Sequence, residues 1–306
     1  MGKIIRILTP QTWDVYLDFF LLRKKAEGIA PRTQRDYLKC VGHFFNSFPD
    51  ALSSPEKLNE AVLKYFSRDM KPATFNIRRC YLKSFFTYME REKIIPRNPI
   101  DFPRRKDEGR AKNIPNDILK ALVDAPDKTT YTGTRDYAII LFILDTGIRP
   151  GEALQLLPKD FNLDSLEVAV RAEISKTRRK RTLPLSPMTA SVIRRLLTVR
   201  PREWWNGVTI FCTQDGTTME EDGLSKRFRK YSAKIGYKIT PYDLRHSFAL
   251  LYLRNGGNIF ALQRTMGHAD LNMTKRYLAL TQEDLRAEHQ KSSPINQLTE
   301  KRVRRV

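Results

Sequence analysis

Cysteine is scarce in this 306-residue chain: Cys40, Cys80 and Cys212 are the only three, and they lie far apart. That spacing excludes a close metal-ligand pair and a disulfide framework of the secreted type, and predicts reduced, mostly buried thiols in the cytoplasm. The histidines are as sparse, and His43, His246, His268 and His289 do not fall at metal-ligand spacing, so no metal site is expected. No GxxxxGK[ST] phosphate loop occurs. The N-terminus lacks the basic, apolar and small-residue order of a signal peptide, and no apolar run approaches the roughly 20 residues of a membrane span. A soluble, cytoplasmic protein without a membrane partner is expected. There is no internal repeat.

Acidic side chains are also in deficit, with 34 against 55 basic ones, which leaves a formal charge of +21. The excess is not confined to a tail: residues 1–100 carry +8 and the remainder +13. Such a field selects a polyanion, and two basic halves suit a protein that grips a duplex from two sides. On charge alone a ribosomal or other RNA-binding protein stays open. The length suits two domains.

From residue 11 to about 92 the apolar period is helical, as in Trp13, Tyr16, Leu17 and Phe20. Four helices are predicted, starting near Thr12, near Thr33, after Ser54 with Pro55 first, and near Pro72. Residues 95–115 carry Pro96, Pro99, Pro103, Pro115 and the basic Arg104-Arg105-Lys106, and read as a linker, either an extended strand along a phosphate backbone or a solvated connector. Helices are then predicted at 116–125 and 134–146, the second a core helix ended by Gly147. Short β-runs follow at 166–170, 172–176 and 181–185, and helices at 187–199, 222–235, 241–255, 258–266 and 271–288. The expected domains are a helical one over 1–94 and a mixed α+β one over 116–306.

Four stretches of the second domain carry groups for phosphodiester chemistry, which without a metal needs cationic donors, a nucleophile and an acid for the leaving oxygen. Arg149 precedes Pro150, which reads as the first residue of a helix, so the arginine would project from a helix N-terminus. Thr240 and Asp243 form a capping box ahead of a helix on which Tyr242 and Arg245, three apart, share a face. Gly267 ends one helix beside His268, and Tyr277 follows inside the next. The run Lys176-Thr177-Arg178-Arg179-Lys180-Arg181 occupies the turn of the last hairpin.

The order Arg149, Lys176, Tyr242-x-x-Arg245, Gly267-His268 and Tyr277 resembles the catalytic set of the tyrosine recombinase (phage integrase-like) family, across most of the second domain, and the helical first domain resembles that family's core-binding domain. The resemblance implies a mainly α protein with a small sheet, closing as a two-domain C-shaped clamp on double-stranded DNA. It implies that Arg149 and Arg245 clamp the scissile phosphate, Lys176 protonates the 5′-oxygen, His268 donates to the phosphate, and Tyr277 attacks to give a 3′-phosphotyrosyl bond. Glu152 would orient the site. Exchanging a phosphodiester for a phosphotyrosine conserves ester bonds, so no cofactor is expected.

The departure is Tyr242, where the family most often has His; a phenol can donate to phosphate, but its pKa near 10 makes it a poor base. His246 lies one residue beyond Arg245, about 100° round the helix, and reads as a structural or supporting residue. Lys180 rivals Lys176 as the acid, with Lys176 favoured because Ser175-Lys176-Thr177 precedes the turn as in the family's hairpin. Arg35 and Lys39 on one helix and Lys226 and Arg229 on another are candidates for groove contact, and Arg104, Arg105 and residues 178–181 for phosphate contact. The resemblance further implies specific recombination sites, four subunits on paired sites and a monomer or weak oligomer when free, with a C-terminal tail that docks on a neighbour or is merely basic and disordered. With about ten residues ahead of the first helix, no separate arm-type DNA-binding domain is expected. A mobile-element integrase is favoured, and a chromosome-dimer resolvase, a type IB topoisomerase and an inactive DNA-binding protein stay open.

Overall fold

The computed structural model describes residues 12–106, 113–204, 207–268, 270–275, 277, 286 and 289–295. The chain divides into two compact units, 1–108 and 109–306. No helix among the described residues is long and apolar enough to cross a membrane.

The first unit holds α1 (Trp13–Ala26), α2 (Pro31–Ser47), α3 (Pro55–Ser67) and α4 (Pro72–Arg91). Three of them open with proline at the first helical position, where the missing N–H has no intrahelical partner to lose. That is why α2 starts at Pro31, two residues before the expected Thr33. The core is aromatic: Phe20, Phe44, Phe45, Tyr65, Phe85 and Phe86 are fully buried. They meet edge to face, as in Phe44–Tyr65 at 5.3 Å and Phe20–Phe85 at 5.5 Å, the arrangement that ring quadrupoles favour. Residues beyond α4 join this core through Ile95, Ile100 and Phe102. Arg105 donates to the carbonyls of Met70 and Phe66 and lies 4.0 Å over the Phe75 ring.

The second unit runs α5 (Asn116–Asp124), α6 (Tyr131–Thr146), α7 (Pro150–Ala153), β1 (Phe161–Asn162), β2 (Glu167–Val170), β3 (Arg181–Pro184), α8 (Pro187–Thr198), α9 (Glu221–Ile235), α10 (Pro241–Arg254), α11 (Ile259–Met266) and α12 (Leu271–Lys275). The central α6 buries Ala138, Ile139, Ile140, Phe142 and Ile143, and packs against α8 and α10. Asp136 on α6, itself buried, accepts from Arg135 at 2.7 Å, Arg227 at 2.5 Å and the Tyr231 hydroxyl at 2.6 Å, which fastens α9 to the core helix. The three strands are antiparallel in the order β1-β2-β3, with Val170 opposite Arg181 at the turn end of the last hairpin.

Two elements differ from expectation. Residues 172–176 are turns rather than a strand: Ser175 N–H bonds Arg171 O, Arg178 N–H bonds Ser175 O, and Arg178 adopts a φ of 53°. Tyr277 does not lie inside a helix as expected: α12 is Leu271–Lys275, and Tyr277 sits in a turn with its N–H bonding Thr274 O. Helix recurs at 286 and 289–292; the rest of the expected helix to 288, and the basic tail from 296 onward, lie outside the described residues.

Candidate active site

Two left-handed glycines set the geometry. Gly147, at φ 61°, ends α6 and turns the chain so that Arg149 stands immediately before Pro150 of α7. Gly267, also at φ 61°, ends α11 and places His268 just beyond it. Both conformations suit glycine, since a Cβ there crowds the backbone. Arg245 projects from α10, whose start is fixed by the reciprocal cap between Thr240 and Asp243.

These turns bring the arginines together. Arg245 donates to Gly147 O at 2.5 Å and Met266 O at 2.9 Å, and Arg149 to Gly267 O at 2.9 Å. Each guanidinium carries five N–H groups, so these anchors leave donors for an anion. Arg149 and Arg245 are almost wholly buried, at 7% and 4% exposure. Burial, and then the neighbouring Arg149 charge, pull the Arg245 pKa down to about 10, which still leaves it cationic at neutral pH.

Glu152 is the hub. Its Oε1 accepts from Arg149 Nη1 and from the Lys176 amide, both at 3.1 Å, and its Oε2 from Arg181 Nη2 at 2.5 Å. Burial alone raises a carboxyl pKa, but the Arg181 hydrogen bond and charge, the Lys176 amide and Arg149 outweigh it, and the net shift is downward. The ionised carboxylate thus ties the hairpin backbone at Lys176 to Arg149. The Lys176 side chain itself is exposed, as is that of Lys180.

Arg181 departs from the expected DNA-facing surface role. It is the first residue of β3, and it turns inward, donating to Thr265 O at 3.2 Å as well as to Glu152. Its Nη1 is buried with no hydrogen-bond partner. Among the described residues the site therefore holds three guanidiniums, from Arg149, Arg181 and Arg245, hydrogen-bonded around or beside the Glu152 carboxylate.

His268 is neutral here. Its Nε2 lies 2.9 Å from Arg245 Nη2, and since a guanidinium only donates, Nε2 must carry the lone pair. The proton then sits on Nδ1, 2.8 Å from the buried Thr274 hydroxyl. Burial first, then Arg245 and Arg149, lower its pKa to about 4. Tyr277 is 8% exposed, and its hydroxyl lies 2.6 Å from His246 Nδ1. His246, expected to point away as a structural or supporting residue, instead touches the Tyr277 hydroxyl. Tyr242, one turn earlier on α10, is 44% exposed.

The remaining candidates are not among the hydrogen-bond partners of this cluster. Arg35, Lys39, Arg104, Arg178 and Arg179 are exposed. Lys226 and Arg229 share Asp222, at 3.0 and 3.7 Å, which offsets part of the charge they would offer a phosphate. The Arg105 head group is held by the first unit's own carbonyls. Among the described residues no three His, Cys, Asp or Glu side chains converge to hold a metal ion.

Two buried arginines, a histidine and a tyrosine converging from α7, α10, α11 and the turn beyond α12 can be matched against known proteins. The Phage integrase family profile matches residues 112–284, more than half of the chain. The chain belongs to the phage integrase family. It is a site-specific tyrosine recombinase, a DNA strand transferase. The tyrosine recombinase XerC of Pelotomaculum thermopropionicum is 30% identical over 92% of this recombinase and 98% of its own length. XerD of Lacticaseibacillus casei is 29% identical over 90% and 97%. Among solved structures, the Tn1549 transposon integrase in complex with a circular-intermediate DNA shares the fold, with a TM-score of 0.72 at 19% identity, covering 90% of this chain and 99% of that one.

Proposed function

We propose that this recombinase cuts one strand of a specific double-stranded DNA site by attack of Tyr277 on the phosphate, leaving a 3′-phosphotyrosyl bond and a free 5′-hydroxyl. The observation that carries the reading is the convergence of Arg149, Arg245 and Tyr277 across separate elements, with both guanidiniums anchored from behind by backbone carbonyls. With His268 neutral and Glu152 ionised, three guanidiniums and one carboxylate give the pocket a net charge near +2. That matches the charge accumulating on a five-coordinate phosphorus, and in a buried site it is preorganised for it.

Arg149 and Arg245 bind the non-bridging oxygens in this reading, and their planar forks suit bidentate contact. Lys176, whose amide is fixed by the carboxylate that also holds Arg149, supplies the proton to the 5′-oxygen. An arriving phosphate competes with His268 for Arg245 and adds negative charge beside the imidazole. Both changes favour a protonated His268 that donates to the phosphate. Exposed Arg35, Lys39, Arg104, Arg178, Arg179 and Lys180 supply backbone contacts, with Lys226 and Arg229 contributing through a face shared with Asp222.

Four copies acting on two paired sites complete strand exchange, and the exchange integrates and excises a mobile element. Tyr242, in place of the usual histidine, supports that assignment. The Xer relatives, matched over nearly their whole lengths, favour a second reading, resolution of chromosome dimers. The chemistry is tested with a duplex site nicked beside the cleavage position, so that the released fragment diffuses away and traps the covalent complex. Unaltered protein should accumulate the complex, while Arg149→Ala and Arg245→Ala should lose it by at least 100-fold, about the effect of removing one preorganised donor. A complex that persists in Tyr277→Phe overturns the reading. A deletion strain that divides normally favours the mobile element, and one with unresolved chromosomes at division favours the second role.

A further inference from the structure

The proposed chemistry leaves one proton unassigned, that of the attacking phenol. Tyr242 cannot take it: a neutral phenol is a weak base, and its ring stands partly in solvent. The structure supplies another group. On α10, positions 242 and 246 are four apart, hence only about 40° apart around the helix at 3.6 residues per turn. An imidazole at 246 thus occupies the same face as the missing one, a turn further along.

His246 Nδ1 lies 2.6 Å from the Tyr277 hydroxyl, with ring centroids 5.7 Å apart. That separation is at the short end for a hydroxyl donor and below the usual N–H···O range, which fits the phenol donating to an imidazole lone pair. Among the described residues Arg245, adjacent to His246 on α10, interacts electrostatically with Tyr277, and His268 does so with His246. An arginine cation beside the phenol favours its ionised form.

We infer that His246 is the catalytic base of the cleavage step. The inference rests on Tyr277 being the nucleophile. Nδ1 takes the phenolic proton as the tyrosine oxygen bonds to phosphorus. The bond from phosphorus to the 5′-oxygen breaks, and that oxygen takes a proton from the Lys176 ammonium. The products are an imidazolium, a neutral amine, a phosphotyrosyl diester and a 5′-hydroxyl. In rejoining, each proton returns by the same path, with His246 protonating the departing phenolate.

The test separates base catalysis from a packing role by making the base unnecessary. Full-length protein is prepared with tyrosine or trifluorotyrosine at 277, the latter ionised near neutral pH, each with His246, His246→Gln or His246→Asn. Covalent-complex formation is timed on the nicked site. With tyrosine at 277, His246→Gln should be slower by about 100-fold, the usual lower effect of a general base. With trifluorotyrosine the same change should reduce the rate by less than about tenfold. An equal loss in both backgrounds overturns the inference, as does no loss in either.

Should both variants fail to melt cooperatively, the solvent deuterium isotope effect in the His246 protein decides. It is measured on a substrate with sulfur as the bridging 5′-atom, which needs no acid. The effect should be present with tyrosine and lost with trifluorotyrosine, and its persistence overturns the assignment. Failure of the nucleophile reading is seen separately, as cleavage by Tyr277→Phe.

Discussion

Replacing Glu152 by Gln keeps the side chain's shape while removing its charge. Glu152 is buried and accepts three hydrogen bonds, from Arg149, the Lys176 amide and Arg181. An amide oxygen at the Oε1 position keeps the first two, but the amide nitrogen then faces the Arg181 donor. The substitution removes one charge-assisted bond and takes the Glu152 counter-charge away from three guanidiniums. Breaking a buried ion pair from one side destabilises by roughly 3–5 kcal/mol. In a unit of this size each kcal/mol moves Tm by about 2–4 °C, so the second unit should melt roughly 6–20 °C lower.

The pH dependence fixes the cause. Because the folded Glu152 pKa is lowered, its contribution is complete above the ordinary carboxylate pKa and is lost as pH falls through the folded value. The gap between wild type and Glu152→Gln should therefore hold at pH 7 and 5 and close only in stronger acid. Sulfate, an anion that can sit among the arginines, should recover part of the loss. Thermal unfolding by circular dichroism across pH measures all three effects. A Tm within 2 °C of wild type at pH 7, or a gap that does not change with acid, refutes the claim that this carboxylate neutralises the arginine cluster.

Gly147→Ala places a Cβ 2.1 Å from Phe248 Cδ1 at a φ of 61°. Left-handed strain of about 1–2 kcal/mol and overpacking of about 1–3 should add, and Arg245 should shift with the carbonyl it binds; unchanged melting and cleavage would contradict this. The His268 pKa near 4 means that the unfolded chain takes up a proton below about pH 6.5 while the folded one does not. Its stabilisation is thus complete above that pH and fades toward pH 4, so the Tm gap between wild type and His268→Gln should shift steadily across this window; a gap constant from pH 7 to 4 sinks the neutral assignment. Tyr242→Phe, at an exposed position, should slow covalent-complex formation by less than about tenfold, and a loss as large as that of His246→Gln would move the base to position 242.

Much of this was legible in the sequence because punctuation residues act locally. Pro31, Pro55, Pro72, Pro150 and Pro241 each open a helix, and Gly147 and Gly267 each end one. The turn at 172–176 was not legible, since the β-like composition of Ala172 to Ile174 is overridden by the tie between the Lys176 amide and Glu152, a contact 24 positions away. Arg181 reads as one more cation of a basic run; only strand register turns it inward. His246 was missed for a geometrical reason: measured from Arg245 it points elsewhere, whereas measured from Tyr242 its four-residue spacing returns it to the same face. That spacing was available in the sequence. The closeness of Tyr277 to it was not, because it depends on how Tyr277 packs against the buried faces of α10 and α11.

The central claim is that Tyr277 carries the DNA, and it is tested most directly by digesting the trapped covalent complex and sequencing the nucleotide-bearing peptide by mass spectrometry. The expected modification is a phosphodiester linking a 3′-nucleotide to Tyr277. Attachment at Tyr242, the more exposed phenol on α10, or at any other side chain, would contradict the mechanism and reassign the histidine contact to a structural role.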